Sequence, residues 1–253
     1  MSSCIYKNDD NVSLLLIDHP FSDVFACRDD CEKLFRCINT FLIKKQIIKN
    51  NIIDLGAWMG DNSIPWAKNI NGIIYAIDPS PENCSYITEM CELNQIKNIK
   101  VFQTAISNTD ELLSTNDNIN HCSFVYGHCG QNGQTKINAV SLDYLYGLNE
   151  IENIGYIHLD VEGMEFKVVQ GAEKIIDTCR PVVSFEQHLY TDNYDIILSY
   201  FRNKQYRVFL VDEIMPHCYQ DCRNSFAFPM EIYTDELIEQ INTLIGRNIM
   251  IPM

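Results

Sequence analysis

Basic residues are what this chain has least of for its size: 19 Lys and Arg stand against 34 Asp and Glu, a formal charge of −15 over 253 residues. Duplex nucleic acids and anionic membrane surfaces are gripped by fields of Lys and Arg, so this balance argues against both as partners. The strongest basic cluster, Lys44, Lys45 and Lys49, reads as the solvated end of a helix. Long apolar runs are missing too. None approaches the ~20 residues that span a bilayer, and Met1-Ser2-Ser3-Cys4 leads into polar sequence without a basic-then-apolar leader. The 11 cysteines are odd in number and scattered, not framed as in a small secreted module, so free thiols in a reducing, cytoplasmic compartment are expected. A zinc reading of His217, Cys218 and Cys222 lacks a fourth ligand. Internal repeats and low-complexity tracts are also absent. What remains is ordinary for one large domain with a full core, 46% hydrophobic.

The most telling stretch is Asn51-Ile-Ile-Asp-Leu-Gly-Ala-Trp-Met-Gly60, an apolar strand that runs into a glycine turn and then a helix. Gly56 and Gly60 suit a backbone that passes close to a ligand, and Asp54 sits at the strand's carboxyl end, where open α/β sheets bind ligands. The spacing excludes two nucleotides. A dinucleotide fingerprint needs glycines where Trp58 and Asp61 stand, and no Lys-Ser or Lys-Thr follows the second glycine, so a Walker loop is absent. One βα unit later, Gly72-Ile-Ile-Tyr-Ala-Ile77 ends in Asp78-Pro79, an acid placed to accept hydrogen bonds from a ribose diol. Alone, Asp78 reads as a surface turn carboxylate, since Asp-Pro turns are common. Beside a glycine turn that has no phosphate cradle, it points to S-adenosylmethionine, whose sulfonium and amino acid parts need none.

Here the chain resembles the FkbM-type S-adenosylmethionine-dependent methyltransferases. The resemblance rests on Asp54, Gly56, Ala57, Gly60 and Ser63; on Asp78-Pro79-Ser80-Pro81-Glu82-Asn83; on Leu142-Asp143; on Leu159-Asp160-Val161-Glu162-Gly163-Met164-Glu165; and on Pro181, Glu186 and His188. It runs in unbroken order over roughly positions 50 to 190. Trp58 replaces the Asn usual inside the glycine turn, and Asp78 the usual Glu. The resemblance implies a Rossmann-like class I methyltransferase fold: a mostly parallel seven-stranded sheet, helices on both faces and an antiparallel last strand.

Along the chain, Val12–Ile17 reads as a strand followed by a turn at Asp18-His19-Pro20, and near-helical spacing runs from Asp29 to about Lys49. Residues 1–48 are thus a strand and helix extension packing on a methyltransferase domain of 49–253. Its core reads as strand 51–55, helix 61–69, strand 73–77, helix 81–94 and strand 99–103. Strand 154–160, helix 163–176, strand 181–186, helix 195–204 and strand 206–211 follow, then a last strand near 226–233 and a helix at 235–244. Alternating elements imply a parallel sheet with right-handed crossovers. The polar stretch of about 107–140 is too long for a bare linker and reads as a β-rich insertion, with pieces at 123–126 and 136–140.

Methyl transfer to a hydroxyl needs a group at the sheet's carboxyl edge that takes the proton. Asp160 and Glu162 follow one apolar strand and Glu186 and His188 close the next, so these four are the candidate catalytic residues; Asp160 and Glu162 could instead cap the helix that follows, and His188 could be a hydrogen-bonded structural residue. A Glu-x-His pair on a strand points both side chains the same way. These ligand types also suit a hard divalent ion, but nothing in their spacing demands one, and no metal is predicted. Asp54, Gly56, Ala57 and Gly60 should line the methionine moiety and Asp78 should take the ribose hydroxyls; Ser63, Pro79 and Asn83 join the cofactor side by the resemblance, with Asn83 alternatively capping its own helix. Thr104 and Ala105 should border the adenine, or else simply pack in the core.

The resemblance implies O-methylation of a small-molecule or glycan acceptor, a sugar hydroxyl foremost. A cofactor-binding scaffold without turnover, or methylation of a non-sugar small molecule, are the alternatives. A nucleic-acid methyltransferase lacks an Asn-Pro-Pro-Tyr-type motif here, and a nicotinamide oxidoreductase lacks its third glycine.

Overall fold

In the computed structural model of the protein, residues 4–7, 12–27, 32–115, 135–189, 192–214 and 222–253 are described. The chain opens with an antiparallel hairpin, β1 (Cys4–Lys7) and β2 (Ser13–Leu16), then α1 (Pro20–Cys27) and α2 (Lys33–Lys44). The expected helix start at Asp29 lies outside the described residues.

Five βα-type strands follow in the alternation that the sequence dictates. They are β3 (Asn51–Leu55), β4 (Ile74–Asp78) and β5 (Ile99–Gln103), with α3 (Ser63–Ala67) and α4 (Pro81–Leu93) between them, and later β9 (Ile154–Leu159) and β10 (Val182–His188). In space they lie β10-β9-β3-β4-β5, all parallel. Strands covered on both faces read as near-continuous apolar runs, and every residue of β3 and β4 is buried, Asn51, Asp54 and Asp78 at their ends included. One face packs against α2 and α9 (Asp235–Ile245) through Phe35, Ile38, Ile52, Ile74 and Ile241. The other packs through Leu55, Ile77, Ile157 and Phe185 against α6 (Glu165–Gln170), α7 (Glu173–Cys179) and α8 (Asp192–Asn203). Each such buried aliphatic contributes roughly 1.5–3 kcal/mol.

The sheet departs from the expected one in count and direction: it has eight strands and is mixed. β12 (Cys222–Pro229) runs antiparallel between β10 and β11 (Tyr206–Val211), and β13 (Met250–Pro252) adds an antiparallel edge beyond β11. Three residues carry no readable alternation, and β13 owes its place to tertiary contacts. Asn242 of α9 accepts the Ile249 and Met250 N–H groups at 2.9 and 3.1 Å, delivering the segment to the β11 edge. β12 starts and ends about four residues earlier than expected; it closes at Pro229, which has no N–H to continue the ladder.

The expected helix 163–176 is two helices, because Asp143 of α5 (Leu142–Gly147) caps a fresh start. Its carboxylate accepts the Lys174 and Ile175 N–H groups at 2.8 and 3.0 Å. The insertion contributes β7 (Glu111–Thr115) and β8 (Thr135–Val140), which with the short β6 (Ala105–Ile106) form a separate three-stranded sheet. The expected strand at 123–126 lies outside the described residues. Among the described residues no helix is long and apolar enough to cross a membrane.

Gly56 shows how closely β3 and β9 meet at their carboxyl ends. Its φ is +72°, and a Cβ there would lie 1.8 Å from the Asp160 carbonyl oxygen; Gly246, also at φ +72°, faces open space. Alanine at Gly246 should therefore cost only the backbone strain, about 1 kcal/mol. Alanine at Gly56 should cost about 3 kcal/mol or more, since the strand ends must part. Urea unfolding of the two variants checks this, and equal losses would show that the β3–β9 contact is not tight.

Candidate active site

The site is built where β3, β4, β9 and β10 end. Asp54, 1% exposed, faces inward: it accepts the Ser63 hydroxyl, and its other oxygen lies 2.8 Å from His158 Nδ1 on β9. The two predicted cofactor residues Asp54 and Ser63 thus hold each other beneath the turn, joining β3, the start of α3 and β9. His158 is enclosed by the Phe35 and Trp66 rings, and its Nε2 has no hydrogen-bond partner. The tautomer that donates from Nδ1 leaves a bare lone pair at Nε2, which is less costly to bury than an unpaired N–H. Above this layer, Gly56 and Ala57 both donate to the Ile77 carbonyl, at 3.0 and 3.2 Å, and Gly60 N–H closes the turn on Ala57 at 2.7 Å. Ala57 packs with Ala76 and Ile87.

Asp78 ends β4 facing that turn, 5% exposed. One carboxylate oxygen accepts the Trp58 N–H at 2.9 Å; the other accepts the Ser80 N–H at 2.8 Å and Asn83 Nδ2 at 2.9 Å. Burial pushes the Asp78 carboxyl up to about 6; the three donors pull it the other way, and nearby Asp54 adds to the push. Pro79 is half-buried, and Ser80 caps α4 by accepting the Asn83 N–H at 3.2 Å. Thr104 and Ala105 fall where β5 passes into the small sheet. Thr104 Oγ1 donates to the Asn138 carbonyl at 3.2 Å, while Ala105 packs with Leu113, Ile137, Ala139 and Met164.

β9 and β10 run parallel with Leu159 beside Phe185, so Asp160 and Glu186 emerge level with one another. Strand alternation sends Glu186 to the α2 face, where it accepts the Cys222 thiol at 2.6 Å. His188 ends β10, half-buried and paired with Cys222. Glu162 is exposed and left-handed, with φ 52°. Asp160, Glu186 and His188 therefore share one edge, and Glu162 points to solvent from the same loop. Among the described residues no group of three His, Cys, Asp or Glu side chains stands in a metal-holding arrangement.

Two buried groups at this edge went unassigned in the sequence. Glu165, 2% exposed, accepts the Gly163 N–H at 3.0 Å and Gln187 Nε2 at 2.5 Å, and burial pushes its carboxyl up to about 7. It pins the loop that carries Asp160 and Glu162. His158 is the other; a histidine inside the apolar run Ile157-His158-Leu159 was the available signal. Arg36 of α2 also reaches the far end of the turn, meeting Asp61 at 2.8 Å.

A model of the FkbM methyltransferase domain matches residues 54–208, more than half of the chain. By structure, the chain is similar to methyltransferase FkbM from Methylobacillus flagellatus KT, with a TM-score of 0.51 and 16% identity, covering 70% of this chain and 43% of that one. This chain thus spans under half of that protein's length. Weaker likenesses are to a precorrin-6y C5,15-methyltransferase from Geobacter metallireducens GS-15 (TM-score 0.47, 12% identity, 77% and 87% covered) and a SAM-dependent methyltransferase from Aquifex aeolicus (0.42, 14%, 81% and 96%). At such identities the likeness is one of fold. No curated protein matches the chain by sequence.

The Glu165 carboxyl has a raised folded pKa, so its stabilising contribution is present in full below 4.5 and is lost as pH rises to about 7. Glu165→Gln keeps an acceptor for Gly163 and removes the titration, and a turn of the Gln187 amide presents its oxygen to the new NH₂ group. It should match the parent near pH 4 and exceed it at pH 8 by up to about 3 kcal/mol. Urea unfolding at both pH values checks this; a stability difference that does not depend on pH would sink it.

Proposed function

The chain belongs to the FkbM methyltransferase family, and from that premise we propose that it moves a methyl group from S-adenosylmethionine to a hydroxyl of a small polar acceptor, foremost a sugar of a glycan or glycoconjugate. The observation that carries this reading is Asp78. A carboxylate offers about four acceptor positions. The Trp58, Ser80 and Asn83 donors use three of them, which leaves one on the oxygen facing the turn. That is the requirement for gripping a ribose hydroxyl, and it explains why a carboxylate is kept in a place that penalises its charge.

When bound, the cofactor supplies an electrophilic methyl group on a sulfonium. The chain's residues supply the rest. Asp78 holds the ribose, Gly56 to Gly60 border the methionine end above the Asp54–Ser63 layer, and Thr104 and Ala105 flank the adenine side. Asp160, Glu186 and His188 lie at the edge where an acceptor hydroxyl would enter. There a carboxylate or imidazole within hydrogen-bond reach takes the proton as the new C–O bond forms, a contribution of typically 10²–10⁴-fold. The formal charge of −15 supports a neutral hydroxylated acceptor over nucleic acid or an anionic membrane.

Titration calorimetry with S-adenosylmethionine should show binding that Asp78→Ala weakens at least about tenfold, the worth of a hydrogen bond to a charged group. Equal affinity in both proteins would remove the assigned ribose site. Release of S-adenosylhomocysteine against a glycan panel should fall about 10²-fold in Asp160→Ala or His188→Ala. Tight cofactor binding without turnover on any acceptor would instead favour a scaffold.

A further inference from the structure

Trp58 sits in the turn with φ 44°. That left-handed conformation costs a bulky residue roughly 1–2 kcal/mol and persists only where its surroundings over-determine it. Two attachments do so here. The backbone N–H donates to Asp78 at 2.9 Å. The half-buried indole packs on an apolar cluster formed by Leu14 of β2, Phe25 of α1 and Met59, Tyr86 and Met90.

The N-terminal elements in that cluster are also fastened to α4. Asn94, at its C-terminal end, accepts the Leu15 N–H at 2.7 Å and donates to the Leu15 carbonyl at 2.8 Å, while Tyr86 Oη and Ser22 Oγ lie 2.9 Å apart. The beginning of α4 supplies the other two donors to Asp78. The α4 arm is thus bonded directly to residues 12–27, and the Trp58 arm packs on a cluster that the same segment helps to form; residues 12–27 lie outside the family match of 54–208.

We propose that Trp58 is a positioning residue for Asp78: its indole, seated on the N-terminal hairpin and helix, fixes the backbone N–H that orients the ribose-binding carboxylate, and so makes the N-terminal segment part of the cofactor site. The proposal rests on the reading of Asp78 given above. Among the described residues, the titratable groups facing Asp78 are Asp54 from β3 and Cys84 from α4, whose thiol lies 3.3 Å from the Asp78 carbonyl. β5 places the neutral Gln103 beside it.

The test is calorimetric titration of the full chain with S-adenosylhomocysteine between pH 5 and 8. Asn tolerates left-handed backbone, so Trp58→Asn removes the indole while sparing the turn. Leu14→Ala loosens the seat from a position outside the turn, and it carries the test alone should Trp58→Asn not fold. Both variants should bind about tenfold more weakly than the parent, the scale of one hydrogen bond to a charged group. In both, the acid limb of the affinity profile should move to higher pH, because the N–H at position 58, no longer fixed by the indole, holds the ionised form of Asp78 less firmly. Trp58→Phe should recover most of the affinity. Unchanged affinity, or weaker binding with the acid limb in place, overturns the proposal. A parent chain that fails to bind S-adenosylhomocysteine at any pH overturns the cofactor reading instead.

Discussion

A carboxylate buried at the end of β4 is the constraint around which this end of the molecule is arranged. Removing a charge from water is costly unless hydrogen bonds replace the solvent, and Asp78 receives three, from two different elements. Supplying them requires the chain after β3 to turn a backbone N–H toward β4, and requires α4 to start within a few residues of the acid. The left-handed Trp58, the Ser80 cap and the path of α4 all follow from that need. A site held this way is pre-organised, and part of the cost of binding is met during folding.

The same economy of buried polar groups recurs across the carboxyl edge. Asp54 is satisfied by Ser63 and His158, Glu165 by Gly163 and Gln187, and Glu213 caps α2 by accepting the Leu34 and Phe35 N–H groups. The opposite half of the parallel block is mainly apolar, with Ile52, Ile53 and Ile74 fully buried and the buried amide of Asn51, at the start of β3, bonded to Glu152 and Ile73. Apolar packing is thus densest toward the amino ends of the strands and buried carboxylates gather at the carboxyl ends, where the raised pKa values of Asp78 and Glu165 mark the cost of their burial.

Much of this was legible in advance. Mainly apolar runs flanked by turn residues gave β3, β5 and β11 at their observed bounds and β4, β9 and β10 within two residues. For β3 and β4, buried throughout, the covering of both faces is the reason, while β5, at the sheet edge, sets Ile99 and Val101 against the more exposed Lys100 and Gln103. Asp78 and the glycine turn were legible because strand ends and glycines are local features. Glu165 was within the recognised signature, yet its burial and its bond to Gln187 depend on the neighbouring strand, which no local pattern reports. His158 was hidden for the same reason, since its partner Asp54 is 104 residues away.

Local steric and periodic rules, acting over a few residues, were enough to decide the parallel block, the two βα units around the ligand edge and the acids that end them. The antiparallel half of the sheet was decided by packing. β13 has too few residues to specify itself and takes its register from β11 and Asn242, and the division between α6 and α7 comes from Asp143 reaching in from another helix. The seat of Trp58 on the N-terminal hairpin is of the same kind. Such contacts have small energies of their own and become definite only when folding brings distant segments together, so a one-dimensional pattern carries no trace of them.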